Sequence, residues 1–265
     1  MIKFENKTLS MTTTRENGSL YTHIDKKIAT IEFGHPGSNS FPSELLARLA
    51  NEFNTLSNND DVAIIILKSE GNKAFCAGAS FDELVAIDSL ESGKQFFSGF
   101  ANVINAMRCC SKLIIGRVQG KTVGGGVGLA SACDYVFATE SASIKLSELS
   151  IGIGPFVIAP AVTRKINVSG LAELTLDATS WKNAYWAKEK GLYARVFESI
   201  EDLDKEVEIF TEKLAFYNYE ALSEMKKTLW IGTEHWQELL IENAEISGKL
   251  VLSEATKKAL SKFKK

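Results

Sequence analysis

The sequence predicts an α/β fold in which strands and helices alternate up to about Phe156 and helices dominate beyond it. Three observations carry this. "VAIIILKS" (Val62–Ser69) is a continuous β-branched run, the mark of a strand covered on both faces. "KLIIGRV" gives a second such strand, after a helical stretch whose Phe96, Phe97, Phe100, Val103, Ile104 and Met107 fall on one buried stripe. From Asp202 to Lys265 the pattern is amphipathic and helical throughout.

Element by element, "SLYTHI" and "IATIEFG" are short alternating runs around a polar "DKK", which predicts a hairpin over Leu20–Phe33. In "FPSELLARLANEFNTL", Pro42 stands near a helix start, and Leu45, Leu49, Phe53 and Leu56 recur at helical spacing. The buried strand comes next, then a small-residue loop, "EGNKAFCAGAS", and the helical segments "SFDELVAI" and "SLESGKQFFSGFANVINAMRCC". After "KLIIGRV" come a glycine cluster and two short strands, "YVFAT" and "ASIKL". "SWKNAYWAKEKG" predicts a helix capped by Gly191, and "YARVFE" is the one strand-like piece among the later helices.

The totals narrow the function classes. A net charge of −3 over 265 residues gives no pull toward nucleic acid, and the terminal "TKKALSKFKK" reads as a solvated helix. No apolar run reaches the roughly 20 residues needed to span a bilayer, so no membrane partner is expected. The four cysteines, Cys76, Cys109, Cys110 and Cys133, have no C-x-x-C spacing, which argues against a zinc or thioredoxin-type site. Free thiols point to a reducing, cytoplasmic setting. "MIKFENKTLS" precedes a second Met, so residues 1–15 are expected to be a poorly ordered leader.

The stretch "GRVQGKTVGGGVGLASACD" (Gly116–Asp134) carries the chemistry. It is not a phosphate loop, because Gly116 sits one residue too close to Gly120 for G-x-x-x-x-G-K-[ST]. It is not a dinucleotide fingerprint either, because Leu129 falls where the last glycine belongs. What remains is a strand, a turn at Gly120, and glycines opening a helix toward Asp134. Bare N–H groups at such a start lie at the positive end of the helix dipole and suit an oxygen gaining negative charge; tight helix packing is the alternative. "AFCAGAS" offers a second bend of the same kind after a strand, and two such bends can aim N–H groups at one oxygen, forming an oxyanion hole.

On "AFCAGAS", "GRVQGKTVGGGVGLASACDYVFA" and "SELSIGIGP", the chain resembles the crotonase superfamily of enoyl-CoA hydratases and isomerases from about Leu20 to Lys265. The pair "FCAGA" and "GGGxxLAxxCD" is far more specific than either motif alone. The resemblance implies a β/β/α spiral core over residues 16–200 and a helical C-terminal region, 201–265, used in trimerisation. A homotrimer or dimer of trimers is thereby expected. It implies an acyl-CoA thioester as the ligand, with coenzyme A entering as part of the substrate and neither a separate cofactor nor a metal.

By the same pattern the N–H groups of Ala79 and Gly125 form the oxyanion hole, and Ala77, Gly78, Gly124, Gly126, Gly128 and Phe156 lie on the substrate side. Ala77 matches the part of its loop that packs on the CoA adenine, and "HPGSNSF" matches the first substrate-side loop. Hydratases of the family usually carry two glutamates. Here one position is Gly128, which cannot transfer a proton, and the other is Glu148, in "KLSELSIGIG" among Ile144, Leu146, Leu149, Ile151 and Ile153. Apolar walls would raise its pKa into a useful range. Phe156, in "GPFVIAPAV", stands where a glycine normally holds space for water, a departure shared with single-glutamate double-bond isomerases. Ser80 replaces a frequent Asp.

Other residues read as structure. Asp134 is expected to satisfy backbone N–H groups at an element end. His23, His35 and His235 have no triad context, and Trp186, Trp236 and the ring of Phe156 are expected in core or interface rather than as stacking platforms. The expected activity is therefore isomerisation of a 3-enoyl-CoA to a 2-enoyl-CoA by one glutamate. The alternatives are an enoyl-CoA hydratase in fatty-acid or branched-chain amino-acid breakdown, such as methylglutaconyl-CoA hydration, and a non-catalytic acyl-CoA-binding subunit.

Overall fold

The computed structural model describes residues 17–262; the expected leader lies outside them. Two sheets are built in parallel by one winding chain. The larger has the order β1 (Ser19–Asp25), β2 (Ile28–Gly34), β3 (Ile64–Ser69), β5 (Leu113–Val118), β7 (Tyr135–Thr139), β9 (Arg195–Phe197); the smaller has the order β4 (Ala74–Cys76), β6 (Lys121–Val123), β8 (Ile144–Lys145). Among these strands only β1 and β2 pair antiparallel, as the predicted hairpin; the other strand pairs are parallel, and Ile144 of β8 also makes an isolated antiparallel bridge to Lys182. Each turn of the chain adds one strand to the large sheet and the next strand to the small one. It then returns through helix: α2 (Phe81–Ala86) and α3 (Leu90–Cys109) after β4, α4 (Gly125–Ala132) after β6, and α5 (Ala159–Leu176) and α6 (Ala184–Lys190) after β8. That is the β/β/α spiral.

The continuous apolar run of β3 has a direct cause. Ile65 and Leu67 enter the main core with Leu49, Phe53 and Ile104, while Ile64 and Ile66 pack on the other face under Leu203 and Val207 of α7 (Ile200–Ala215). A strand covered on both sides has no polar face to alternate with. The helix α1 (Ser43–Ser57) lies on the main-core side and buries Leu45, Leu49, Phe53 and Leu56, as its spacing predicts. Gly191 caps α6 in the left-handed conformation, φ 95°.

The chain ends in α8 (Tyr219–Leu229), α9 (Trp236–Val251) and α10 (Glu254–Ser261). Asp134 ties α8 to the sheet. It accepts from the backbone N–H of Ile114 (2.7 Å), as expected, and also from Trp230 Nε1 (2.7 Å) and Lys226 Nζ (2.8 Å). Helix α9 packs along α3 so closely that a Cβ added at Gly93 would stand 2.9 Å from the Cα of Gly248. Trp236 belongs to the main core against Trp230, whereas Trp186 is only partly buried and donates from Nε1 to Glu173 (2.8 Å). The lysines of the last helix are solvated, Lys257 and Lys258 being exposed. All four cysteines are free thiols, and no helix among the described residues is long and apolar enough to cross a membrane.

One expectation needs correcting. Within "EGNKAFCAGAS", expected as a loop, Ala74–Cys76 form a strand, β4, paired in parallel with β6. Three residues are too few to show a period.

Candidate active site

Two bends meet at one end of the small sheet. The first follows β4 and runs through Ala77, Gly78 and Ala79 to Ser80, whose hydroxyl caps α2 by accepting from the N–H of Glu83 (3.3 Å). That cap is a structural use for the serine. The bend is pinned from outside by the "HPGSNSF" loop. Phe41 N–H donates to Gly78 C=O (2.8 Å), Ser80 N–H to Phe41 C=O (2.8 Å), and Ala77 N–H to Ser38 C=O (3.2 Å).

The second bend follows β6 and opens α4. Gly124 has φ 55° and ψ −122°, a conformation that side-chain-bearing residues rarely adopt. The bends touch: a Cβ placed on Gly78 would lie 3.2 Å from Val123 O and 3.6 Å from Gly125 N. Among the described residues, the N–H groups of Ala79 and Gly125 find no acceptor in the protein. Both residues line the same cavity. Gly125 stands at the first position of a helix, where an N–H has no partner of its own and the helix dipole adds positive character.

Glu148 opens a short 3-10 turn, Glu148–Ile151, that ends at Gly152 in the left-handed conformation (φ 86°). Its Oε1 would lie 3.0 Å from a Cβ on Gly124, so the carboxyl sits over the second bend. Its Oε2 is shut off from solvent and has no hydrogen-bond partner among the described residues. Burial pushes the Glu148 carboxyl up to about 7, partly offset by the nearby backbone amides of Glu148 and Ser147. Of the apolar neighbours predicted from sequence, Ile151 and Ile153 line the cavity, whereas Leu149 is exposed.

The cavity holds about 200 Å³. Its floor is the two bends and Glu148; its walls include Phe96, Phe97 and Phe100 of α3 with Leu84, Val157 and Ile158. The stripe on α3 thus packs the core with Val103, Ile104 and Met107 and lines the cavity with its phenylalanines. A hydrophobic period alone cannot separate those two tasks. Glu148 is the only ionisable residue in the lining among the described residues; Ser147 and Ser247 are the other polar side chains.

Six of the nine predicted site residues line this cavity: Ala77, Gly78, Ala79, Gly124, Gly125 and Glu148. Three do not. Gly126 backs onto Cys76, whose Cβ would lie 2.7 Å from an added methyl, and Gly128 faces Ile158, whose Cγ2 would lie 2.4 Å away. Both glycines serve close packing of α4. At Gly128, where a second glutamate would stand, Ile158 occupies the space. Phe156 also lies outside. Its ring lies against the outer side of the Gly154 backbone, where a Cβ on Gly154 would stand 2.5 Å from Phe156 Cε2, and it lines a surface groove with Pro160, Leu229 and Trp236. Its carbonyl there accepts from Asn243 Nδ2 of α9 (2.9 Å).

No His, Cys, Asp or Glu cluster among the described residues could hold a metal ion. The thiol nearest the floor, Cys76, is buried and pushed up to about 12 by that burial. It is a packing residue rather than a nucleophile.

Comparison with known proteins agrees with this geometry. The fold matches that of an enoyl-CoA hydratase from Bacillus halodurans with a TM-score of 0.86 over 92% of this chain and 99% of that one, at 20% identity, a likeness of fold alone. In sequence the chain is 27% identical over 189 residues to the peroxisomal Delta(3,5)-Delta(2,4)-dienoyl-CoA isomerase of Arabidopsis thaliana, covering 66% of each. It is 32% identical over 169 residues to the mitochondrial methylglutaconyl-CoA hydratase of Mus musculus, covering 63% of this chain and 53% of that protein. The matches therefore span between about half and two thirds of these relatives. A family model described as enoyl-CoA hydratase/isomerase matches residues 23–264, nearly the whole described chain. With two amide-bearing bends converging below one buried carboxyl, on a β/β/α spiral, the chain belongs to the enoyl-CoA hydratase/isomerase family, within the crotonase superfamily.

Proposed function

We propose that this chain moves a proton within an acyl-CoA thioester, using Glu148 alone, and converts a 3-enoyl-CoA to the 2-enoyl-CoA. The observation that carries this reading is the solitary carboxyl. Among the described residues, Glu148 is the one ionisable side chain in the cavity lining, and Ile158 fills the place opposite Gly128.

The chemistry follows from the parts. The thioester carbonyl oxygen accepts from the N–H groups of Ala79 and Gly125. Ionised Glu148 removes a proton from C2, and the C–H electron pair moves onto the carbonyl oxygen as an enolate. Fixed donors hold that charge, each contributing roughly 3–4 kcal/mol to lowering the barrier. The proton returns from Glu148 to C4, and the double bond moves from C3–C4 to C2–C3. Atoms and charge balance with no water consumed, and one carboxyl suffices because both carbons lie on one face of the acyl chain.

A carboxyl whose pKa lies near neutrality is matched to this exchange, because it gives up and takes back a proton with little penalty either way. A protein that only bound acyl-CoA would have no use for a buried oxygen without a partner, which costs stability. This weighs against a non-catalytic subunit. No Lys or Arg lines the cavity among the described residues, so an acyl chain ending in a carboxylate would find no counter-charge there. That favours a plain hydrocarbon chain over a methylglutaconyl group.

A second reading, hydration of a 2-enoyl-CoA, is favoured by the hydratases among the relatives and by the Ser147 hydroxyl in the lining. The two readings predict opposite pH limbs. An isomerase needs Glu148 ionised first, so its rate rises with pH through about 7. A hydratase that uses Glu148 as its acid falls over the same range. The test is turnover of a 3-enoyl-CoA by the wild type and by Glu148→Gln, with a 2-enoyl-CoA in oxygen-18 water as the control. A positioned base contributes about 10²–10⁴-fold, so a mutant as fast as the wild type would end the proposal. Rapid label uptake with no 3-enoyl turnover would favour hydration.

A further inference from the structure

We infer that Thr256, on the last helix and outside the cavity, is a positioning residue that fixes the turn carrying Glu148. Thr256 is fully buried, although α10 is otherwise largely exposed. Its Oγ1 donates to the carbonyl of Gly152 (2.9 Å), 104 residues earlier. Gly152 ends the turn that Glu148 begins: Gly152 N–H donates to Leu149 C=O (3.1 Å), and Ile153 N–H donates back to Glu148 C=O (3.1 Å). Anything that fixes Gly152 therefore fixes both ends of a four-residue turn.

The fit at this point is tight and polar at once. A Cβ on Gly152 would meet Thr256 Oγ1 at 2.5 Å and its Cα at 3.0 Å. The hydroxyl is itself fixed. Ser253, the N-cap of α10, donates to Thr256 Oγ1 (3.0 Å) and accepts from the Thr256 N–H (3.2 Å). The result is a directed relay, Ser253 to Thr256 to Gly152, in which each donor polarises the next. Around it Leu260 of α10 packs with Leu84, Phe96 and Ile153, three residues of the cavity wall. The last helix thus acts on the general base from behind, through a carbonyl, without touching the space a substrate would use.

This inference rests on the catalytic reading of Glu148 for its kinetic consequence but not for its physical one. Thr256→Val keeps the volume and removes the donor; Thr256→Ser keeps the donor. Each is purified as the full chain, and two quantities are measured. The first is kcat and KM with a 3-enoyl-CoA. Thr256→Val is expected to lower kcat by roughly ten- to a hundredfold, the scale of a misplaced catalytic group, with little change in KM, and Thr256→Ser to restore most of it. The second is the carboxyl titration of Glu148, followed by carbon-13 NMR or infrared difference spectra without substrate. A loosened turn admits water to the carboxyl, so its midpoint falls from about 7 toward the ordinary glutamate range in Thr256→Val and stays in Thr256→Ser.

If Thr256→Val is too unstable to purify, Ser253→Ala removes the upstream donor and is expected to move both quantities the same way by less. A variant that melts earlier but keeps both the wild-type titration and kcat would overturn the inference and leave Thr256 a packing residue. A shifted titration alongside full activity in Glu148→Gln would instead keep the positioning role and remove the catalytic one.

Discussion

Asp134 and Glu148 both hold carboxyl oxygens out of solvent, and the protein treats them in opposite ways. The Asp134 side chain is 2% exposed and fully partnered, by the ammonium of Lys226, the indole of Trp230 and the amide of Ile114. The Glu148 carboxyl has one oxygen with no partner at all among the described residues. The first arrangement gives both carboxylate oxygens a hydrogen-bond donor, three bonds in all, and it joins the C-terminal helices to the central sheet. The second leaves a penalty standing, over two bends whose amides are also unspent. A buried acid that is satisfied is architecture; one left unsatisfied beside a cavity is a candidate for chemistry.

The largest effect that tests this contrast is kinetic, the 10²–10⁴-fold loss expected on Glu148→Gln. The matching substitution at the other site, Asp134→Asn, should leave the chemistry of the cavity alone but strand the charge of Lys226. Breaking a buried pair in this way costs about 3–5 kcal/mol, to be read as a lowered urea midpoint. If Asp134→Asn were neutral in stability, the contrast would fail on its architectural side.

Stability should move in the other direction at Glu148. Its pKa is raised on folding, from the ordinary glutamate value of 4.5 to about 7, so the folded state holds the proton more tightly than the unfolded chain. Between those values the unfolded chain loses its proton first, and folding stability falls as pH rises. Above about 7 the whole penalty, about 3 kcal/mol, is present. Glu148→Gln should therefore be more stable than the wild type at pH 8 by up to that amount. The gain should shrink to nothing as pH falls to about 4.5. Urea titrations at three pH values would measure it, and a pH-independent difference would contradict the burial of the ionised form.

The smallest effect sharpens the account of the glycine run. Gly128→Ala places a methyl against Ile158 Cγ2 and should cost about 1–3 kcal/mol, typical of overpacking. Ile158→Ala in the same chain should relieve part of that cost, so the two changes should not add. Simple additivity, measured by thermal or urea unfolding, would mean that Gly128 does not abut Ile158.

Much of this was legible in the residues, for identifiable reasons. The hairpin, the buried strand Ile64–Ser69 and the helix capped by Gly191 follow from local rules, in which a few neighbours decide the conformation. The two bends were visible because small residues and glycines follow strands there, whereas Glu148 was singled out by the family resemblance. Direction was not legible. Gly124 and Gly126 look alike in sequence, yet the first faces the cavity and the second backs onto Cys76. The resemblance puts Phe156 on the substrate side, where the family has a glycine, but Pro155 and Val157 line the cavity and Phe156 does not. The bonds from Thr256 to Gly152 and from Lys226 to Asp134 join residues about a hundred positions apart, with no local pattern to announce them.

The seam between α3 and α9 has one more consequence. At Gly93 and Gly248 the two helices meet backbone to backbone, and each carries a cavity-lining residue nearby, Phe96 on one and Ser247 on the other. Main chain in contact with main chain is a hard stop. Side chains can change rotamer to absorb a neighbour's growth, but two abutting backbones cannot. The spacing of these two helices beside the chamber is therefore gauged by glycine, like the jaws of a closed caliper, and one methyl group at either position would pry it open.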